Sequence, residues 1–138
     1  MRLISVLLAG VVLASCTTAP PQVTRSADKQ RDYEMALAGK VPQRPISCLP
    51  HYRAGDMRPI DENTILFRNG STTYVANMRG GCAGVAGGHY ALVTRQFGTA
   101  DLCSGDIAEV LDTTSGMMVS SCVWGEFTPY VRPPGARG

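Results

Sequence analysis

Five cysteines in a chain of 138 residues constrain this sequence more than any other feature. The number is odd, so at least one cysteine must serve a different purpose from the others. Cys16 directly follows an apolar run, whereas the other four lie between residues 48 and 122. No Cys-x-x-Cys pair occurs among them, and the spacing does not resemble a zinc site. We therefore expect no metal and no cofactor.

The N-terminal segment indicates export. A positive dipeptide precedes an apolar run over residues 3–12. A helix of that length, at about 1.5 Å per residue, is too short to cross a bilayer core of about 30 Å, but it matches the apolar region of a signal peptide. The next four residues, Leu13-Ala14-Ser15-Cys16, resemble a bacterial lipobox.

This resemblance implies that residues 1–15 are a lipoprotein signal peptide and that Cys16 carries the lipid. Several acyl chains bind a membrane stably, so the membrane is an expected partner. Thr17 stands where an Asp retains enterobacterial lipoproteins in the inner membrane. The resemblance therefore implies an outer-membrane lipoprotein whose folded part lies in the periplasm.

Residues 16–45 are expected to hold the lipid anchor, a Pro-rich tether and one short helix. Pro20 and Pro21 favour an extended chain. Ser26 is a suitable N-cap, and Gly39 suits a helix end, so the pattern predicts a helix over residues 27–38. A helix this short is marginal alone, so it either docks the apolar side chains of Tyr33 and Leu37 on the folded domain or frays. A partner-binding helix is the alternative.

The remaining chain predicts a mainly β domain over residues 46–128, a small antiparallel barrel or rolled sheet, followed by a mobile tail at 129–138. Asn69-Gly70 predicts a hairpin between strands at 64–68 and 72–78, and Ser115-Gly116 predicts a second between 106–112 and 117–123. Further strands are expected at 57–60 and 89–95. In the first hairpin Phe67 faces Thr72, and the buried face consists of Ile65, Phe67, Tyr74, Ala76 and Met78.

Four cysteines in an exported domain of this size indicate two disulfides. Three pairings are possible, and we favour Cys48–Cys122 with Cys82–Cys103. A rolled sheet brings its first and last strands together, which favours the first pair. Cys82 and Cys103 flank one strand, which favours the second. The alternative is a reactive thiol at Cys82 with His89 nearby.

Three residues are weak candidates for ligand binding: Arg79, His89 and the sole tryptophan, Trp124. The Gly-rich loop at 80–88 has enough glycine to wrap an anion, but no phosphate-binding motif follows it. We favour a packed loop and a buried Trp124. An aromatic platform of Trp124, Tyr90 and Tyr130 is the alternative.

The charge balance argues against nucleic acid as a partner. Thirteen basic and eleven acidic residues give a net charge of +2, without the basic patch that such binding requires. A glycan or an envelope protein is the expected partner.

The cysteines, with Thr64-Ile-Leu-Phe67 and Cys122-Val-Trp-Gly-Glu-Phe127, resemble a family of small exported proteobacterial proteins of unknown function. The resemblance implies a compact β domain stabilised by disulfides and assigns no catalytic residue. We therefore expect a lipid-anchored envelope protein with a non-enzymatic scaffolding or interaction role. The alternatives are a small-ligand or peptide-binding module and a thiol-dependent enzyme or redox accessory.

Overall fold

The computed structural model describes residues 25–50, 56–96 and 100–135. Within these residues one helix, α1 (Ala27–Leu37), precedes nine strands. They are β1 (Val41–Pro42), β2 (Cys48–Leu49), β3 (Met57–Asp61), β4 (Thr64–Asn69), β5 (Thr72–Arg79), β6 (Tyr90–Arg95), β7 (Leu102–Cys103), β8 (Ile107–Asp112) and β9 (Met118–Val131). The signal peptide, Cys16 and the tether up to residue 24 lie outside the described residues and stay predictions.

The main sheet is antiparallel and curls into a half-barrel, which confirms the expected fold class. Its strands follow the order β3-β4-β5-β9-β8-β6. The long strand β9 is central because its first half pairs with β8 and its second half pairs with β5. β1 pairs with the end of β9, and β2 and β7 form a separate two-stranded ribbon.

The first predicted hairpin forms, but its register differs from our expectation. Asn69 pairs with Thr72, so the two-residue loop is Gly70-Ser71, with Gly70 at a φ of 60°. Phe67 therefore faces Tyr74 instead of Thr72. The observed register differs from the predicted one by two residues. Because side chains alternate between the faces with a period of two, the predicted buried face is unchanged.

That face forms the main hydrophobic core on the concave side of the sheet. Trp124 and Phe127 are fully buried there, with ring centroids 6.0 Å apart, and Phe67 packs against both rings. The predicted residues Ile65, Phe67, Ala76 and Met78 are buried in it, and Tyr74 packs against it. A strongly apolar interior thus fixes which face of β4, β5 and β9 points inward.

The disulfide pairing that we favoured is wrong. Cys48 bonds to Cys103, and Cys82 bonds to Cys122. The first segment does run beside the last strand, since Ile46 forms a bridge to Phe127, but the chain then turns away into the β2–β7 ribbon, where Cys48 pairs with Cys103. Cys82 follows β5, whose last residue pairs with Val123, and this brings Cys82 beside Cys122.

The packed unit is longer than residues 46–128. The helix forms as predicted and docks on the convex side, where Tyr33, Ala36 and Leu37 cover a second cluster of Ile60, Leu66 and Val75. β9 continues to Val131, so the expected mobile tail at 129–138 begins as paired strand. The apolar contacts of α1 hold the N-terminal end of the unit, and pairing with β1 holds the C-terminal end of β9. Both interactions join residues that are distant in sequence.

Candidate functional site

The three residues that we selected for ligand binding do not converge on one site. Trp124 is fully buried in the core, and its indole N–H donates to Thr94 Oγ1 over 3.3 Å. The interpretation of Trp124 as a core residue is therefore confirmed. Tyr90 packs on the concave core whereas Tyr130 packs in the convex cluster, so the alternative aromatic platform is wrong.

Arg79 and His89 lie at opposite ends of the Gly-rich loop. The Arg79 guanidinium donates to the backbone carbonyl of Trp124 over 3.4 Å and is otherwise exposed. His89 is exposed, and its carbonyl accepts two hydrogen bonds from Thr113, from the backbone N–H and from the hydroxyl. The Arg79 side chain thus makes a structural contact at the end of β5, whereas His89 contributes its backbone carbonyl just before β6.

The Gly-rich loop is a packed loop, as we favoured. Its N–H groups at Cys82, Val85 and Gly87 donate to carbonyl oxygens of this chain, over 2.7, 3.1 and 2.8 Å. The Tyr90 ring packs on the backbone of Gly84 so closely that a Cβ there would lie 3.2 Å from it. These three N–H groups are thus engaged within the chain and are not available to cradle an anion.

The cysteines of the domain form two disulfides, so Cys82 is not a free thiol. Its side chain is also fully buried, which removes it from the reach of a substrate. In the described part of the chain, no group of three or more His, Cys, Asp or Glu side chains is arranged to hold a metal ion. None of the described helices has the length and apolarity to span a bilayer.

The most developed polar cluster lies where α1 meets β3 and β4, and sequence reasoning missed it. Arg25 Nε donates to Asp61 Oδ2 over 2.5 Å, and its NH2 group donates to Thr64 Oγ1 over 3.0 Å. The same guanidinium lies 4.3 Å from the centre of the Tyr33 ring. Asp61 is only 6% exposed, and its other oxygen accepts from the Asn63 N–H. A carboxylate this buried needs such partners.

Tyr33 extends this cluster across the helix. Burial raises the pKa of its hydroxyl above the usual value, and the neighbouring Tyr130 raises that pKa further. The Arg25 charge acts on the same pKa in the opposite direction. The phenol therefore stays neutral in ordinary conditions and serves as a packing and hydrogen-bonding group between α1 and β9.

The other end of the helix is held by Lys40 and Thr73. Lys40 Nζ donates to Thr73 Oγ1 over 2.5 Å, and the same hydroxyl donates to the Ala36 carbonyl over 3.3 Å. Burial and the charges of Arg132 and Arg68 lower the pKa of Lys40. Between the two ends, Lys29 Nζ donates to the Pro59 carbonyl over 2.9 Å. We call this set of contacts, from Arg25 to Lys40, the helix latch.

The helix latch extends the packed unit to the first described residue. Arg25 is bonded to Asp61 of β3 and Thr64 of β4, so the unit includes residue 25. No motif marks Arg25 in the sequence, because an arginine before an N-cap serine has no characteristic partner. The only available signal was the apolar spacing of Tyr33 and Leu37, which predicted docking without its location.

Comparison with known proteins gives no matching family model, no matching curated protein and no matching solved structure.

Proposed function

We propose that this protein is a lipid-anchored component of the bacterial cell envelope, with a β domain that serves as a scaffold or interaction module in the periplasm. The observation that carries the proposal is the lipobox-like Leu13-Ala14-Ser15-Cys16 at the end of a signal-type apolar run. Two disulfides in the domain support it, because such bonds persist in oxidising compartments. Thr17 at the position after the lipid supports the outer membrane as its location.

The helix latch sets an upper limit on the length of the anchor. Because Arg25 is bonded to the domain, residues 17–24 alone connect it to Cys16. Fully extended, this stretch reaches about 30 Å. The domain would thus be held within about 30 Å of the membrane surface.

Fractionation of cells that express the wild-type chain and Cys16→Ala tests the anchor. The wild type is expected in the outer-membrane fraction, and it should take up labelled fatty acid. Cys16→Ala should take up none, and inhibition of the lipoprotein signal peptidase should leave the wild type as precursor. Ser15→Ala, which keeps a small residue before the cysteine, is the matched control and should behave like the wild type. Fatty-acid labelling of Cys16→Ala would contradict the proposal.

A further inference from the structure

The two edges of the main sheet differ in how they are protected. At one edge, β3 contains Pro59, and its register with β4 is irregular between Pro59 and Asp61. Lys29 of α1 also donates to the Pro59 carbonyl. A proline, a bulge and a lysine are the devices by which natural sheets prevent edge-to-edge pairing. The β3 edge is therefore closed to a further strand.

The opposite edge, β6, has none of these devices. Its six residues, Tyr90 to Arg95, pair with β8 in an unbroken register, and they include no proline or lysine. In the part of the chain that the structure describes, β8 is its only strand neighbour. Such an edge offers unpaired N–H and C=O groups to another extended chain.

The side chains of β6 also suit a strand partner. Ala91, Val93 and Arg95 are exposed on the convex side, and Val93 is 41% exposed. Arg95 is the only charged residue of β6. Its NH2 group donates to Glu109 Oε2 over 3.2 Å, and its Nε lies 3.0 Å from Glu109 Oε1 in the same ion pair. Two such edges therefore approach each other without repulsion between uncompensated charges.

We propose that β6 pairs antiparallel with β6 of a second copy of this chain, so that two half-barrels form one continuous sheet across a twofold axis. In such a dimer the twofold axis is perpendicular to the sheet and passes midway between two copies of the same residue that lie directly opposite each other. Only this arrangement places both concave faces on the same side of the sheet. We place the axis at Val93. This register pairs Val93 with its own copy and sets Ala91 opposite Arg95, where a small side chain leaves room for the Arg95–Glu109 pair.

The alternative axis, at Leu92, pairs the same number of residues but leaves Arg95 beyond the ladder and Val93 opposite Ala91. The Val93 axis instead covers the exposed valine with an identical apolar side chain. On the concave side it brings Leu92 of each copy opposite Thr94 of the other. A second copy is the occupant that these observations favour, because the edge is complementary to itself in charge and in hydrogen bonding, and because the same axis covers the exposed Val93.

Cysteine cross-linking of the full chain in cells tests the pairing without requiring the lipid anchor. Opposed residues of an antiparallel pair have Cα atoms about 4.5–5.5 Å apart, which is within the range of a disulfide. Val93→Cys is therefore expected to give roughly tenfold more covalent dimer than two exposed controls, Met35→Cys on α1 and Met118→Cys on β9. Native disulfide formation in each variant verifies folding.

A mixed-expression experiment tests the register. Ala91→Cys and Arg95→Cys should each remain monomeric alone and should cross-link when the two variants are expressed together. A Val93→Cys chain that stays monomeric, or that cross-links no more than Met118→Cys, would overturn the proposal. Cross-linking between Ala91→Cys and Val93→Cys instead would overturn the axis at Val93.

Discussion

Removal of one disulfide at a time tests how burial and loop length combine in this domain. The Cys48–Cys103 bond closes a sequence separation of 55 residues, and the Cys82–Cys122 bond closes one of 40. Loop-closure entropy alone gives about 4.2 and about 3.9 kcal/mol for the two bonds. By loop length, loss of Cys48–Cys103 should therefore cost slightly more stability.

Burial reverses this order. Cys82 and Cys122 are 0% and 2% exposed and belong to the main core, whereas Cys48 is exposed. Replacing both buried cysteines with alanine leaves two small voids, each costing about 1 kcal/mol. We therefore expect the double variant Cys82→Ala/Cys122→Ala to lose about 6 kcal/mol, and Cys48→Ala/Cys103→Ala to lose about 4 kcal/mol.

Urea unfolding followed by Trp124 fluorescence measures the difference. With a slope of about 1.5 kcal/mol per molar urea, the midpoints should fall by about 4 M and about 2.7 M respectively. A loss of about 6 kcal/mol is comparable to the whole stability of a small domain, so the buried-pair variant should be largely unfolded without urea. If Cys48→Ala/Cys103→Ala unfolds at an equal or lower urea concentration, the reasoning from burial is refuted.

Three further predictions concern the helix latch and the strand β9. Arg25→Ala should lower the free energy of unfolding by about 2 kcal/mol and speed hydrogen exchange in α1, since it leaves the buried Asp61 carboxylate without its ion-pair partner. Arg31→Ala removes an exposed ion pair and should change neither quantity. Equal effects of the two substitutions would contradict the helix latch. Gly125→Ala should cost at least about 2 kcal/mol in thermal or urea unfolding, because its Cβ would lie 2.2 Å from a β5 carbonyl oxygen, whereas Gly88→Ala meets open space and should be neutral. The raised pKa of the Tyr33 hydroxyl means that the folded state holds this proton more tightly than the unfolded state does, so the resulting stabilisation is complete below pH 10 and is lost as the pH rises further. In urea unfolding, Tyr33→Phe should therefore lose less stability above pH 10 than the wild type does. An identical dependence of stability on pH in the two proteins would refute the assignment.

Local patterns in this sequence predicted elements well and long-range contacts poorly. The N-cap of Ser26 and the glycine at Gly39 bracketed α1 correctly, and the alternation in β4 and β5 identified the buried face. These features depend on residues close in sequence. The predicted loop of the first hairpin was displaced by one position, because both Asn69-Gly70 and Gly70-Ser71 satisfy the turn requirement. Which of the two forms the loop depends on packing across the sheet.

The disulfide pairing was wrong for a topological reason. Whether Cys48 lies beside the last strand depends on where the first segment leaves that strand, and the structure places this point at Ile46, two residues earlier. Nothing in the local pattern marks such a departure. The helix latch was inaccessible for a similar reason, since Arg25 meets Asp61 across 36 residues and the contact follows from the docking of α1.

Intact mass spectrometry of the protein extracted from membranes tests the central claim most directly. The account predicts a mature chain that begins at Cys16, carries diacylglycerol and an N-linked acyl chain on that residue, and contains two disulfides among Cys48, Cys82, Cys103 and Cys122. A chain that retains residues 1–15, or that begins elsewhere without lipid, would contradict it.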